Sequence, residues 1–178
     1  NDINKSPSPY NPEKLSWLNA HYIKTLPAAR LIEEMKFFGV DISENTKAEA
    51  LINSLRERAK TIDELANSAK TIIEAPSEYD EKSINKFMKG DALEILEAYL
   101  AQLKEVGELS GVEAFETHAK AFLESKELGL GKLAQPIRIA VVGSSVSPSV
   151  FDVLDIIGYK DVVTRIEKFC EFQRRNDG

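Results

Sequence analysis

Four serines fall within six residues, Ser144, Ser145, Ser147 and Ser149, and a hydroxyl becomes a nucleophile only beside a base. The chain has two histidines, His21 and His118; neither has a neighbour that nominates it as that base, and no G-x-S-x-G elbow presents a serine. Cys170 is the single cysteine, so an intramolecular disulfide is impossible and a Cys/His zinc site cannot be assembled. The glycine-rich run ELGLGKLA invites a phosphate-loop reading and fails on spacing. A Walker loop would need Gly where Lys126 stands and Ser or Thr where Leu133 stands. A dinucleotide fingerprint would need a third glycine where Ala134 stands. Carboxylate pairs such as Glu33 with Glu34, or Glu94 with Glu97, lie beside or opposite the apolar stripes of helices and read as solvated faces. No catalytic constellation results.

Two polar features remain. Ser147-Pro148 repeats the pairing of an N-cap with a first-turn proline, directly after Gly143-Ser144-Ser145-Val146, and Arg138 precedes it in Gln135-Pro136-Ile137-Arg138. A helix start offers backbone N–H groups and a partial positive end that can hold a phosphate or a base edge. Ordinary capping plus a surface arginine accounts for the same residues, so the pattern alone leaves both readings open. The formal net charge of −6 disfavours general nucleic-acid binding, because phosphate affinity comes mainly from Lys and Arg. The acid is concentrated, however. Residues 71–130 carry 13 Asp and Glu against 6 Lys and Arg, whereas residues 53–70 and 131–178 each have a net charge of +1. That distribution permits a selective binder with neutral to basic segments and an acidic, solvated remainder.

The elements that must position these residues read as helices throughout. Asn11-Pro12 starts a first helix to about Lys24, with Leu15, Leu18 and Tyr22 on one face. Pro27 opens a second, on Ala28, Leu31, Ile32, Met35 and Phe38, stopped by Gly39. A third spans Asn45 to Arg58 on Ala48, Leu51, Ile52 and Leu55. Thr61 with Glu64 forms a capping box for a fourth, which runs to Pro76. Beyond that proline we expect a short helix at Asp80–Met88, a long one from Asp91 to Gly107 and one opened by a Ser110–Glu113 capping box. Three more follow. The first, KLAQPIRIAVVG, is rich in β-branched residues, but Pro136 near its start, Gly143 at its end and its helical neighbours favour helix over strand. Cys170 falls on the inner face of the last helix with Val163, Ile166 and Phe169 and is expected to be a core thiol.

KLSWLNAHYIK at Lys14–Lys24 resembles the signature that follows the catalytic half of bacterial glutamyl-tRNA synthetases. GKLAQPIRIAVVGSSVSPSVF at Gly131–Phe151 resembles the motif of their C-terminal anticodon-binding region, and Ile157-Gly158 and Arg165-Ile166 agree in order and spacing. The class I signatures H-I-G-H and K-M-S-K-S are absent. The resemblance implies an all-α fold of two helical subdomains. Residues 1–24 would connect to a catalytic and stem-contact part, 25–75 would form the first subdomain and 76–178 the second. It implies tRNA contacts at Arg58, Arg138, Ser147, Pro148 and Val150. Ser147 replaces a frequent Thr but keeps the hydroxyl, and Val142 replaces the usual Thr before Gly143.

On this reading the chain binds glutamate tRNA, with glutamine tRNA a further candidate, and it binds neither DNA nor membrane. It is expected to be a cytoplasmic monomer, non-catalytic alone and without a cofactor, ATP and Mg belonging to the catalytic part. No run of roughly 18 apolar residues spans a membrane, and the N-terminus lacks signal-peptide features. The alternative is a helical protein-interaction module.

Overall fold

The computed structural model describes residues 11–176. The first ten residues, which carry part of the expectation about a leader, lie outside the described residues. The described residues form ten α-helices and one 3₁₀ turn with no strand, which makes the chain all-α as expected.

Two compact units divide the chain, one through Asn67 and one from Ser68 onward. In the first, α1 (Pro12–Thr25) starts as foreseen: Asn11 Oδ1 accepts from the N–H groups of Glu13 and Lys14, and Pro12 occupies the first turn. Its apolar stripe is not covered. Leu15, Leu18 and Tyr22 are exposed, and only Ile23 is buried. Helix α2 (Ala28–Met35) buries Leu31, Ile32 and Met35, then tightens into a 3₁₀ turn at Lys36–Phe38 before Gly39, whose φ is 76°. The tighter turn, with fewer residues per revolution, swings Phe38 out of the stripe it was expected to join, leaving it 50% exposed.

Helix α3 is shorter than its expected span. It covers Ala48–Leu55, and from the C-cap the Arg56 side chain reaches back. Arg56 Nη2 donates to the carbonyl of Ile23 at 2.7 Å and to that of Leu26, while Nη1 donates to Asn53 Oδ1 at 3.0 Å. One guanidinium thus satisfies carbonyls left over at the end of α1. Helix α4 (Ile62–Ile73) begins with the Thr61 half of the expected capping box, Glu64 N donating to Thr61 Oγ1 at 3.1 Å, while Glu64 Oε2 accepts from Lys60 N at 2.8 Å, one residue before the cap. The division between the units falls within α4, and Pro76 lies just past its end.

In the second unit, α6 (Ala92–Val106), α8 (Gly131–Val142) and α10 (Tyr159–Asn176) pack on one another. Helix α9 (Val150–Ile157) lies against α7 (Val112–Ser125), and α5 (Glu81–Phe87) against α8. Tyr99, Phe115, Phe122 and Phe169 fill the core. RIAVV is helical: the surrounding helices bury Ile139, Ala140, Val141 and Val142 on all sides, which overrides the β-propensity of the run. The expected Ser110–Glu113 box does not form. Gly111, at φ 93°, takes the cap position, and its N–H goes to Asp155 Oδ1 at 2.8 Å, a partner 44 residues away.

A second arginine repeats the device of Arg56. Arg165, 4% exposed, donates through Nη1 to the carbonyls of Ile72 and Val141, both at 2.8 Å, and through Nη2 to that of Ile73 at 2.6 Å. These acceptors sit at the C-terminal ends of α4 and α8, where carbonyls lack helical partners and the dipole favours a cation. Burial lowers the pKa of the Arg165 guanidinium, and Asp161 opposes that shift. Cys170 is buried, as expected, although Val162 rather than Val163 accompanies it inward.

Candidate functional site

The segment between α8 and α9 is built from its ends. Helix α8 contains Pro136, which removes one rung of its hydrogen-bond ladder, and closes at Gly143 with φ 85°. A side chain at Gly143 would need more than that conformation: a Cβ there would lie 2.8 Å from the carbonyl oxygen of Glu78 and 3.1 Å from Pro76 Cβ. The Gly143 carbonyl accepts from Asp80 N at 2.8 Å. The chain that follows α4 is therefore laid directly on the end of α8.

Arg138, half-buried on α8, reaches across the loop. Its Nε donates to Ser147 Oγ at 2.8 Å, and its Nη2 lies 3.5 Å from the carbonyl oxygen of Pro148. The structure thus brings together Arg138, Ser147 and Pro148, three of the residues to which the resemblance assigned tRNA contacts. Ser147 does so in a different role from the expected one. Its hydroxyl donates to the Pro148 carbonyl at 2.8 Å, and the N-cap of α9 is Ser149, which makes no side-chain capping bond. Ser147 therefore does not cap α9, and Pro148 precedes the cap instead of occupying the first turn. Ser147 stands two residues before that cap, where its hydroxyl meets the arginine N–H and the neighbouring carbonyl instead of the amides of α9. Pro148 is buried and Val150 is 5% exposed, so both support the loop from beneath, whereas Val146 at its tip is 77% exposed.

Arg58 lies in the other unit. It is exposed, and it stands three residues beyond α3, not on the helix; its N–H donates to the Leu55 carbonyl at 3.0 Å. The expected helix to Arg58 gives way to a turn after Leu55: Arg56 still donates its N–H to the Ile52 carbonyl at 2.9 Å, but the Arg58 N–H reaches only three residues back.

Residues not singled out from the sequence complete the loop. Asp80, the N-cap of α5, accepts from Ser83 N at 2.8 Å and from Ser83 Oγ at 2.5 Å. These bonds, the hydroxyl's first, hold the Asp80 carboxyl below its usual pKa. Ser83 Oγ in turn accepts from Ser145 N at 3.0 Å and lies 2.9 Å from Ser145 Oγ. The Asp-x-x-Ser spacing signals a helix start, but nothing local links it to a serine 62 residues on. No group of three or more potential metal ligands occurs among the described residues, and no helix among them is long and apolar enough to cross a membrane.

Comparison with known proteins gives the family. Over 170 residues, 96% of this chain, it is 51% identical to Glutamate–tRNA ligase 2 of Campylobacter fetus subsp. fetus (strain 82-40). Over 171 residues it is 52% identical to the protein of the same name from Campylobacter curvus (strain 525.92). The chain spans 36% of the length of each relative. The crystal structure of a glutamate tRNA ligase from Elizabethkingia meningosepticum CCUG26117 in complex with its amino acid superposes with a TM-score of 0.82 at 25% identity. That likeness covers 91% of this chain and 32% of the other. A glutamate-tRNA synthetase from Elizabethkingia anophelis gives a TM-score of 0.78 at 28% identity, with the same coverage of both chains. The family described as "Anticodon binding domain" matches residues 23–170, which reach into both units and include the whole α8–α9 loop, and the chain belongs to that family.

Proposed function

We propose that this chain recognises the anticodon loop of tRNA as one part of a glutamate–tRNA ligase, whose remaining part attaches glutamate to the tRNA with ATP and Mg. The observation that carries the proposal is the Arg138–Ser147–Pro148 contact inside a matched anticodon-binding family domain. Single-stranded RNA is read by unstacking bases and meeting them with planar cations and hydrogen-bonding groups. Arg138 supplies a guanidinium whose plane is fixed by Ser147, and Ser147 supplies a hydroxyl that can exchange partners with a base edge. Pro148 and Val150, buried beneath the loop, hold up the segment that presents these groups.

Arg58 takes the third anticodon base on this reading. Cytosine, which glutamate tRNA carries there, presents the adjacent acceptors O2 and N3, and a guanidinium matches them with donors alone. The guanine of glutamine tRNA presents N–H donors at the same edge, so donor faces donor, a mismatch worth about 1–3 kcal/mol. The domain serves a cytoplasmic enzyme, acts as a monomer and carries no cofactor of its own.

Labelled tRNA tests the proposal. Binding that prefers glutamate tRNA over an unrelated tRNA of equal length, and that Arg138→Ala weakens by about 1–3 kcal/mol, supports it. Equal binding to both tRNAs leaves a helical protein-interaction module as the better account. Arg58→Gln is expected to narrow the gap between glutamate and glutamine tRNAs, chiefly by improving the latter.

A further inference from the structure

We infer that Ser83 is a positioning residue, which never touches RNA but holds the α8–α9 loop in the shape through which Arg138 and Ser147 meet it. The inference rests on the proposed tRNA reading of that loop. Three tethers fall on alternate residues. At Gly143 the carbonyl accepts from Asp80 N, at Ser145 the amide donates to Ser83 Oγ, and at Ser147 the hydroxyl accepts from Arg138 Nε. Between them Ser144 folds its hydroxyl onto Val146, 3.4 Å from the Val146 N–H, and Val146 stands out in solvent. The outer tethers fix where the loop begins and ends. The central one decides the path between.

Ser83 is suited to that task and to no direct contact, since it is 4% exposed. Its hydroxyl hydrogen is committed to Asp80 Oδ2 at 2.5 Å, which turns the oxygen lone pairs toward Ser145. The carboxylate keeps its charge, and a donor bound to an anion becomes a better acceptor at its far side, so Asp80, Ser83 and Ser145 polarise one another in series. Because the loop is built before RNA arrives, binding need not order it.

The test uses the full chain with Ser83→Ala, and with Ser83→Cys, which keeps the shape but offers sulfur as a poor acceptor. Arg138→Ala is run in parallel. Two quantities are read: amide hydrogen exchange at Ser145, with Val141 inside α8 as reference, and affinity for an unmodified transcript of glutamate tRNA. Both Ser83 variants are expected to exchange Ser145 about tenfold faster with Val141 unchanged, and to bind the transcript about fivefold more weakly, the scale of one lost hydrogen bond. If Ser145 exchange does not change, or Val141 accelerates with it, Ser83 is not holding the loop specifically and the proposal fails. If Ser145 exchange accelerates while binding stays at the wild-type level and Arg138→Ala weakens it, the positioning role fails but the tRNA reading survives. If Arg138→Ala itself binds as wild type does, the tRNA reading of the loop falls and the positioning role falls with it.

Discussion

Replacing Gly143 with alanine separates two costs that are usually confounded, the strain of a left-handed backbone and the lack of room for a side chain. Gly90 and Gly143 both lie in the second unit with positive φ, 63° and 85°. An alanine at either costs about 1–2 kcal/mol in backbone strain. At Gly90 nothing lies within 4 Å of the new Cβ, so the cost ends there. At Gly143 the Cβ would sit 2.8 Å from a backbone oxygen, Glu78 O, and 3.1 Å from Pro76 Cβ, where ordinary contact begins at 3.4 Å. Backbone cannot rotate away as a side-chain tip can. The segment from Pro76 to Asp80 must lift, at about 1–3 kcal/mol for overpacking. It also gives up the bond from Asp80 N to the Gly143 carbonyl, worth about 1 kcal/mol. Gly143→Ala should therefore destabilise the protein by about 2–4 kcal/mol more than Gly90→Ala, and the entropy that alanine removes from the unfolded chain cancels between them. Urea unfolding followed by far-UV circular dichroism measures both. A difference below about 1 kcal/mol would refute the reasoning, because it would mean that the 76–80 segment does not bear on the end of α8.

Arg165→Met leaves three carbonyls without their shared donor in a buried place, so a loss of about 2–4 kcal/mol is expected in the same unfolding experiment. A loss under about 1 kcal/mol would show that water replaces the guanidinium freely. For Ser147→Ala the structure predicts that most of its destabilisation, about 1 kcal/mol, disappears in an Arg138→Ala background, because the two residues share one bond. A helix cap would cost the same in both backgrounds, and that result would restore the capping role. Burial pushes the Cys170 thiol up to about 11, so at pH 8 the native protein should resist a thiol reagent that labels the urea-unfolded chain rapidly. Equal labelling rates would contradict a core position.

The all-helical fold was legible because helices advertise themselves locally. Asn11-Pro12 and the Thr61 half of the Thr61–Glu64 box formed as their spacing implied, and the stripe of α3, Ala48, Leu51, Ile52 and Leu55, is buried. What was illegible is what depends on partners far along the chain. Helix α3 gives way to a turn after Leu55 while the Arg56 side chain reaches a carbonyl 33 residues back, and the cap of α7 is Gly111, whose amide goes to Asp155 44 residues on. Phe38 left its stripe through a 3₁₀ turn that no period of 3.6 announces. At the site, Arg138 and Ser147 were legible as polar residues near a proline-marked helix start. The bond between them was not, nor that the helix would start two residues later, at a cap on Ser149. Ser83 was invisible for the same reason as Asp155: a buried hydroxyl serving a loop 62 residues away leaves no local mark.

The uncovered stripe of α1 bears on how the chain behaves at the bench. Leu15, Trp17, Leu18 and Tyr22 offer apolar surface on one helix, and a net charge of −6 keeps copies of the chain apart. The two forces respond oppositely to salt. Added electrolyte shortens the Debye length from about 30 Å at 0.01 M to about 8 Å at 0.15 M, which removes the repulsion and leaves the apolar attraction intact. Concentrated stocks should therefore scatter more light as salt rises, the reverse of a particle held together by ion pairs. A charged residue at Leu18 is the single change that should make the chain colloidally indifferent to its buffer.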